Sequence, residues 1–180
     1  MGQLIPEADW EITRFKGVEN CPINEVRELR RLCWPAIYGA GHALEDRFDA
    51  DAWHWTVSLE GQVMAAARLT IHPDLLAVPD AHLCAKLLSL SLPAPIGYFS
   101  RLVVHPTVRG SGLAGKLDML RLGVCRDLGV KSLACSWTPS SGICRKQQLM
   151  ELGFISSDGH MLQPDGVFGK SEVYWMLLAD

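Results

Sequence analysis

The sequence predicts a single α/β domain organised around one strand, one glycine-rich loop and one helix. Residues Ile96–Val104 are rich in β-branched and aromatic side chains and are long enough to form a buried strand. After the loop, apolar residues recur at helical spacing, at Leu113, Leu117, Leu120, Val124 and Leu128. Gly129 then supplies a C-terminal cap. Other strand-like runs on both sides of this unit indicate a sheet with helices packed against it.

The loop between this strand and helix contains Arg109, Gly110, Ser111 and Gly112. The first N–H groups of a helix have no intrahelical acceptor, and glycine leaves room for a ligand to approach them closely. Such a helix start favours an anion. The loop is therefore predicted to bind a diphosphate.

Other interpretations of the loop explain fewer of its residues. Gly110 to Gly115 match the G-x-G-x-x-G pattern, but a dinucleotide fold requires the strand to run directly into the first glycine and an acid about 20 residues later. Here several residues intervene, and the next apolar run, Ser132–Trp137, ends without an acid. No Gly-Lys-Ser/Thr closes a P-loop. A glycine turn that only connects strand to helix stays open, although it leaves Arg109 unexplained.

The N-terminal half predicts a strand, a helix and a hairpin. Residues 10–15 alternate apolar and polar side chains, as in a half-buried strand. Asn24 can cap a helix over residues 24–38 that Pro35 should end or kink. Its buried stripe is predicted at Val26, Leu29, Leu32 and Cys33, which leaves Arg27, Arg30 and Arg31 on a solvated face. Two strands, Trp53–Leu59 and residues 62–70, are joined by the two-residue turn Glu60-Gly61.

The remaining segments complete the predicted sheet. Residues 81–90 are predicted to form an amphipathic segment. The last strands are predicted at residues 160–163 and 172–178, with Pro164-Asp165-Gly166 as the turn between them.

Composition restricts the class of protein. With 48% hydrophobic and 21% charged residues, the 180-residue chain is expected to be one globular domain. The net charge of −3 argues against a nucleic-acid partner. Neither a signal peptide nor an apolar run long enough to span a bilayer is present, so we expect a cytoplasmic protein. The six cysteines form no C-x-x-C pair and are expected to be reduced core thiols, and no spacing typical of metal ligands occurs.

The loop resembles the acyl-CoA-binding loop of the GNAT superfamily of N-acetyltransferases, in which Arg or Gln is followed after two residues by Gly and then by Gly or Ala. Arg109, Gly112 and Ala114 fill those places. The resemblance implies a central mixed, mostly antiparallel sheet of about six or seven strands, splayed between the fourth and fifth. It also implies that Ser132–Trp137 is the fifth strand and that a helix follows over residues 145–154. Acetyl-CoA or another acyl-CoA is the implied co-substrate. Its pantetheine arm would lie along Leu102, Val103 and Val104, and its diphosphate on residues 109–114 (Arg109, Gly110, Ser111, Gly112, Leu113 and Ala114).

A weaker second resemblance involves the N-terminal half. Asp46, Asp49, Arg68, Ser100 and Arg101 are similar to elements of the acyl-homoserine lactone and N-acyl amino acid synthases, which take long acyl chains from acyl carrier protein. Carboxylates can hold an ammonium and arginines can bind a carboxylate, so Asp46, Asp49, Arg68 and Arg101 are predicted to bind an acceptor that carries an amine and an acid. The alternative is that these four charges pair with one another as a structural network.

The catalytic residues are less clearly indicated. The resemblance places a glutamate base where this chain has Tyr98 and a tyrosine acid where it has Leu149. Tyr98 and Ser100 are predicted to contribute hydrogen bonds, and His105 has an intrinsic pKa suited to proton transfer. Because no cysteine and histidine are singled out as a nucleophile pair, direct attack of the amine on the thioester is expected.

The sequence thus predicts an N-acyltransferase that moves an acetyl or short acyl group from acyl-CoA to the amine of a small, amino-acid-like molecule. A carrier-protein-dependent long-chain synthase and a non-catalytic acyl-CoA-binding module stay open as alternatives. No metal is expected, and the chain is expected to be a monomer or homodimer.

Overall fold

The computed structural model describes residues 9–35, 43–79, 88–137, 143–161 and 171–178, and its strands form one seven-stranded sheet. The strand order is β1-β2-β3-β4-β5-β7-β6, and the pairing is antiparallel except between β4 and β5. The strands are β1 (Glu11–Lys16), β2 (Trp53–Leu59), β3 (Gln62–His72), β4 (Ile96–Val104), β5 (Ser132–Trp137), β6 (Ile155–Met161) and β7 (Ser171–Leu177). The predicted mixed, mostly antiparallel sheet is confirmed.

Helices pack on both faces of this sheet. Helix α1 (Ile23–Cys33) shares a buried cluster with Val63, Ala66 and Val103. On the opposite face, α2 (Leu113–Asp127) and α3 (Ile143–Glu151) pack against a larger cluster that includes Leu69 and Phe99. Neighbouring strand residues point to opposite faces, so β3 and β4 contribute to both layers.

The β2–β3 hairpin forms as the sequence predicts. Glu60 and Gly61 both have positive φ, 50° and 79°, which gives the turn the backbone twist that a two-residue hairpin favours. Strand β3 continues to His72, two residues beyond the predicted end. Its longer course brings it alongside the whole of β4.

The predicted faces of α1 are wrong at two residues. Leu32 is 56% exposed, whereas Arg30 is fully buried. Positions 26, 29, 30 and 33 follow the i, i+3, i+4, i+7 pattern of one helix face, so residue 30 belongs to the buried stripe and residue 32 does not. The guanidinium of Arg30 is accommodated because Leu44 O accepts its hydrogen bond at 2.7 Å and Asp49 lies 3.7 Å away.

The buried face of α2 and the start of β6 also differ from the prediction. In α2, Leu120 and Leu128 are partly exposed, and Asp118 and Arg121 are buried on the sheet-facing side instead. Strand β6 begins at Ile155, five residues earlier than predicted, because the polar run Ser156-Ser157-Asp158 carries no strand signal in the sequence. The predicted amphipathic segment over residues 81–90 lies largely outside the described residues. Among the described helices, none combines the length and apolar character needed to cross a membrane.

Strand β4 has a bulge against β3 close to the point where its pairing with β5 ends. Arg68 pairs with Ser100 and Ala66 pairs with Val103, so Arg101 and Leu102 together oppose the single residue Ala67. Arg101 has a φ of 57°, which is uncommon for a residue other than glycine. The pairing of β4 with β5 stops at Phe99 and Cys135. Beyond that point the two strands diverge, as the resemblance implies.

The close packing of β4 predicts a contrast between two glycines. A Cβ at Gly97 would lie 2.5 Å from Leu133 Cδ2 and 3.1 Å from Cys125 Sγ, whereas a Cβ at Gly123 in α2 would meet no atom within 4 Å. Gly97→Ala should lower the free energy of unfolding by about 1–3 kcal/mol through overpacking. Gly123→Ala should raise it by about 0.5–1 kcal/mol because alanine favours the helix. Urea unfolding measures both, and equal effects would contradict the packing described for β4.

Candidate active site

A cavity of about 650 Å³ occupies the opening between β4 and β5. Its walls come from both faces of the sheet, with Trp34 and Asp46 on the α1 side and Leu113 and Arg121 on the α2 side. The cavity therefore passes between the strands and connects the two layers. The described residues that line it include eight of the nine predicted to bind acyl-CoA: Leu102, Val103, Val104, Arg109, Gly110, Gly112, Leu113 and Ala114.

The glycine loop has the geometry of an anion site. Gly112 is the N-cap of α2 and has a φ of 82°, and the N–H of Lys116 donates to Gly112 O at 3.1 Å. This bond is the first of the helix, so the preceding N–H groups have no acceptor within it. No side chain caps them. Ser111, the ninth predicted residue, does not line the cavity because its hydroxyl donates to Val108 O at 2.7 Å.

Tyr98 and Ser100 lie where β4 and β5 separate. The hydroxyl of Tyr98 donates to Ser136 Oγ at 3.4 Å, across the end of the strand pair. Ser100 Oγ accepts a hydrogen bond from Arg68 Nε at 3.0 Å. Both residues line the cavity, as their predicted roles require.

His105 is not among the residues that line the cavity, so the structure does not bring it together with Tyr98 and Ser100. Its Nδ1 accepts from Thr107 N and caps the short 3₁₀ turn Pro106–Val108. The side chain lines a separate groove with Glu25 and Glu28 of α1. The proline fixes this turn directly after β4, and the histidine then serves as its cap rather than reaching the reactive centre.

The four residues predicted to bind the acceptor are brought together by ion pairs. Arg68 contacts both carboxylate oxygens of Asp46, at 2.6 and 2.9 Å, and Asp49 Oδ1 at 3.0 Å. Arg101 donates to Asp46 Oδ2 at 2.7 Å. Two backbone N–H groups donate to the same carboxylates: Asp46 N–H to Asp49 Oδ2 and Phe48 N–H to Asp46 Oδ1.

This geometry favours the alternative in which the charges form a network. All four carboxylate oxygens are engaged, and the side chain of Asp49 is only 6% exposed. Asp49 does not line the cavity, whereas Asp46, Arg68 and Arg101 do. Burial raises the pKa of Asp46, but the hydrogen bonds and charges of Arg68 and Arg101 outweigh it and hold that pKa well below its usual range. Asp46 therefore remains ionised at neutral pH.

A second buried charge cluster lies on the opposite face and was not predicted. Asp118 in α2 is fully buried and binds both Arg121, three residues later, and Arg145 of α3. Arg121 donates to Arg68 O at 3.1 Å and Ser100 O at 3.4 Å, and its Cζ lies 4.2 Å from the centre of the Phe99 ring. The sequence gives one indication of this cluster: Asp118 and Arg121, three residues apart, interrupt the apolar residues of the predicted helix. Nothing in the sequence marks Arg145.

The other candidate groups have ordinary structural roles. Leu149 is 1% exposed and belongs to the core, so α3 presents no acid at that position. Burial raises the pKa of Cys135 to about 12, and Cys144 is exposed. The five described cysteines are free, and Cys84 lies outside the described residues. No cluster of His, Cys, Asp and Glu suited to a metal ion occurs among the residues that the structure describes.

The chain matches the acetyltransferase (GNAT) family over residues 23–143, about two thirds of its length. It is a GNAT acyltransferase. The match covers the cavity-lining part of β4, the glycine loop and α2, which fits an acyl-CoA co-substrate and an N-acyltransferase reaction. No curated protein matches the sequence.

Solved structures share the GNAT fold at low sequence identity. An acyl-CoA N-acyltransferase from Pseudomonas aeruginosa is 16% identical with a TM-score of 0.67, over 92% of this chain and 98% of that one. ElaA from Escherichia coli is 15% identical with a TM-score of 0.67 and the same coverages. A GNAT family acetyltransferase from Elizabethkingia anophelis with bound acetyl-CoA is 13% identical with a TM-score of 0.63, over 93% and 98%.

The pKa of Asp46 leads to a pH-dependent prediction. Asp46→Asn should lower the free energy of unfolding by about 2–4 kcal/mol at neutral pH, because it weakens the contacts of Arg68 and Arg101. A depressed folded-state pKa contributes stability above the unfolded-state pKa of about 4, and this contribution is lost as the pH falls below it. Urea unfolding between about pH 7 and about pH 3 should show the two proteins converging. The exposed Asp51→Asn serves as the control, and a difference independent of pH would contradict the ion-pair description.

Proposed function

We propose that this GNAT acyltransferase moves an acetyl or short acyl group from acyl-CoA to the amine of a small, amino-acid-like molecule. The observation that carries the proposal is the single cavity that joins the glycine loop to Arg68 of β3 and Arg101 of β4, the two arginines of the charge network that line it. A donor with a diphosphate and an acceptor with a carboxylate can meet in it. The amine then attacks the thioester directly, within a ternary complex.

The donor fits the loop and the free part of β4. The diphosphate would accept hydrogen bonds from the first N–H groups of α2, near Arg109 and Gly112. The pantetheine arm would extend along Leu102, Val103 and Val104, where β4 no longer pairs with β5. About four strand residues span roughly 13 Å, which carries the arm to Ser100. The thioester would then lie beside Tyr98 and Ser100.

The acceptor side has an excess of positive charge. Within the described part of the chain, Arg30, Arg68 and Arg101 share the two carboxylates of Asp46 and Asp49. Burial lowers the pKa of Arg30 only to about 10, so it stays charged at neutral pH. The network therefore carries a net charge of about +1, and a carboxylate on the acceptor would balance it. Arg101 is better placed than Arg68 to bind this carboxylate, because both line the cavity but the side chain of Arg101 is 11% exposed and that of Arg68 only 1%.

Direct attack fits the groups around the reactive centre. Cys135 is protonated at neutral pH because burial raises its pKa, and Cys144 has no histidine beside it among the described residues that line the cavity. Positioning of two bound substrates supplies much of the rate in such a reaction. We assign Tyr98 and Ser100 as hydrogen-bond partners of the amine or of an ordered water.

Binding of CoA tests the donor site. At a CoA concentration of about 100 Kd the wild type should gain about 2.7 kcal/mol of stability, seen as a rise in Tm. Gly112→Ala should raise the Kd for CoA at least about tenfold, because a Cβ would occupy the space that a phosphate needs. Gly129→Ala is the matched control: its φ of 66° carries a similar backbone cost, but it lies at the other end of α2. A CoA-induced shift that is equal in the two variants would disprove the donor site.

An acceptor panel tests the second half of the proposal. Turnover of acetyl-CoA, measured as released thiol, should favour amino acids over the matching amines that lack a carboxylate. Arg101→Gln should raise the KM for the amino acid by about 10–100-fold and leave the KM for acetyl-CoA unchanged, since a charge-assisted hydrogen bond is lost. Arg27→Gln, which removes an exposed pair with Glu45, should change neither constant.

The panel also separates the alternatives. Transfer only from a long acyl chain on acyl carrier protein would favour the synthase. CoA binding without turnover of any amine would favour the non-catalytic module.

A further inference from the structure

We propose that Arg145, held in place by Asp118, binds the sulfur of CoA as the thioester C–S bond breaks, so that a fixed positive charge replaces a proton donor. The inference rests on the proposed donor site. It adds a catalytic residue, Arg145, and a positioning residue, Asp118. Leu149, at the place where the family resemblance implies a tyrosine acid, is buried in the core and cannot donate a proton.

Within the part of the chain that the structure describes, the two arginines around Asp118 outnumber its one carboxylate, so the cluster carries one positive charge in excess. Asp118 is fully buried and its one carboxylate faces two guanidinium groups, those of Arg121 and Arg145. Both arginines line the cavity. Burial of an unbalanced charge is costly, so a site of this kind favours an anion beside it.

Both terminal nitrogens of Arg121 already donate hydrogen bonds within the protein. One terminal nitrogen donates to Arg68 O and Ser100 O, and the other donates to Asp118. Its side chain is fully buried above the Phe99 ring. Arg121 therefore stabilises the backbone of β3 and β4 and is unable to move toward a ligand.

Arg145 is the member of the cluster that can reach a ligand. Its two terminal nitrogens bind the two oxygens of Asp118, one of them at 3.1 Å, in a bidentate pair. Arginine has five N–H donors, so this pair leaves others for a ligand. The side chain is 15% exposed and comes from α3, on the β5 side of the opening.

The cluster lies at the reacting end of the proposed donor. Arg121 binds Ser100 O, at the point where β4 and β5 separate and where the pantetheine arm would end. Asp118 joins this point to Arg145 across the opening. A sulfur atom beside Ser100 would thus lie between β4 and the guanidinium of Arg145.

The chemical step is balanced without a protein acid. The nitrogen of the neutral amine attacks the carbonyl carbon and forms the C–N bond, and the proton of the amine passes to water. The C–S bond then breaks, and its electron pair stays on sulfur as a thiolate beside Arg145. The thiolate takes a proton from water when CoA leaves. The charge acts mainly in the transition state because the thioester sulfur is neutral.

Product binding tests this role without knowledge of the acceptor. The parent protein for this test is Cys144→Ser, which lacks the exposed thiol of Cys144. Calorimetry on this parent gives the Kd of CoA and of desulfo-CoA, which lacks the thiol, at about pH 7 and about pH 10. An opposite charge within about 4–6 Å favours the thiolate by at least about one pKa unit. From about pH 7 to about pH 10, the affinity for CoA should therefore rise at least about tenfold more than the affinity for desulfo-CoA. Cys135 remains mostly protonated across this range because burial raises its pKa to about 12.

Variants assign the effect to one residue. Arg145→Gln should abolish the relative gain and lower kcat by about 10–1000-fold, while Arg145→Lys should retain part of both. The buried pair of Asp118 and Arg121 remains neutral in Arg145→Gln, which favours folding. Lys146→Gln, one residue along α3, removes the same charge from a side chain that binds Glu172 outside the cavity, and it should behave as the parent.

Two results would overturn the inference. One is equal pH dependence of CoA and desulfo-CoA binding in the parent, and the other is a relative gain that persists in Arg145→Gln. If neither ligand binds, the proposed donor site fails and this role fails with it.

Discussion

The backbone of β4 must find hydrogen-bond partners at the one place where both of its neighbours leave it. Pairing with β5 ends at Phe99, and the bulge at Arg101 interrupts pairing with β3. Arg121 resolves part of this by donating to Arg68 O and Ser100 O from the α2 side. A buried carbonyl without a donor would cost about 1–3 kcal/mol, so this arginine helps to keep the sheet open. The cavity exists because the opening is stabilised in this way.

Keeping the sheet open places charged side chains in the core. Arg30, Arg68 and Arg121 are each no more than 1% exposed. Buried ions are costly unless they are paired and hydrogen-bonded, and the carboxylates of Asp46, Asp49 and Asp118 meet that requirement. A hydrophobic residue in place of Arg121 would avoid the cost of a buried charge, but it would remove the donor that Arg121 supplies to Arg68 O and Ser100 O. The charges therefore serve the opening of the sheet and the ligands it admits.

The sequence predicts the parts of the fold and the site that depend on residues close together in the chain. The bounds of β2, β4 and β5 match the predicted strands because β-branched and aromatic runs are bordered by turns and polar residues. The glycine loop is equally local, since two positive-φ glycines and a helix start lie within a few residues. Helical periodicity does not predict the burial of Arg30, because it assigns only apolar residues to a buried helix face. The partnership of Arg145 with Asp118 joins positions 27 residues apart, and no periodicity reports such a contact.

The two charge clusters lie on opposite faces of the sheet. On the α1 face, Arg30, Arg68 and Arg101 outnumber two carboxylates, and on the α2 face Arg121 and Arg145 share one. Each carries about one excess positive charge, although the whole chain has a net charge of −3. The diphosphate needs neither cluster, because the helix N–H groups and Arg109 are available for it. Under the proposals made above, one of these positive sites would bind the carboxylate that orients the acceptor, and the other would bind the thiolate that leaves the donor. Because the two sites lie on opposite faces of the sheet, each anion would then be stabilised with little repulsion from the other.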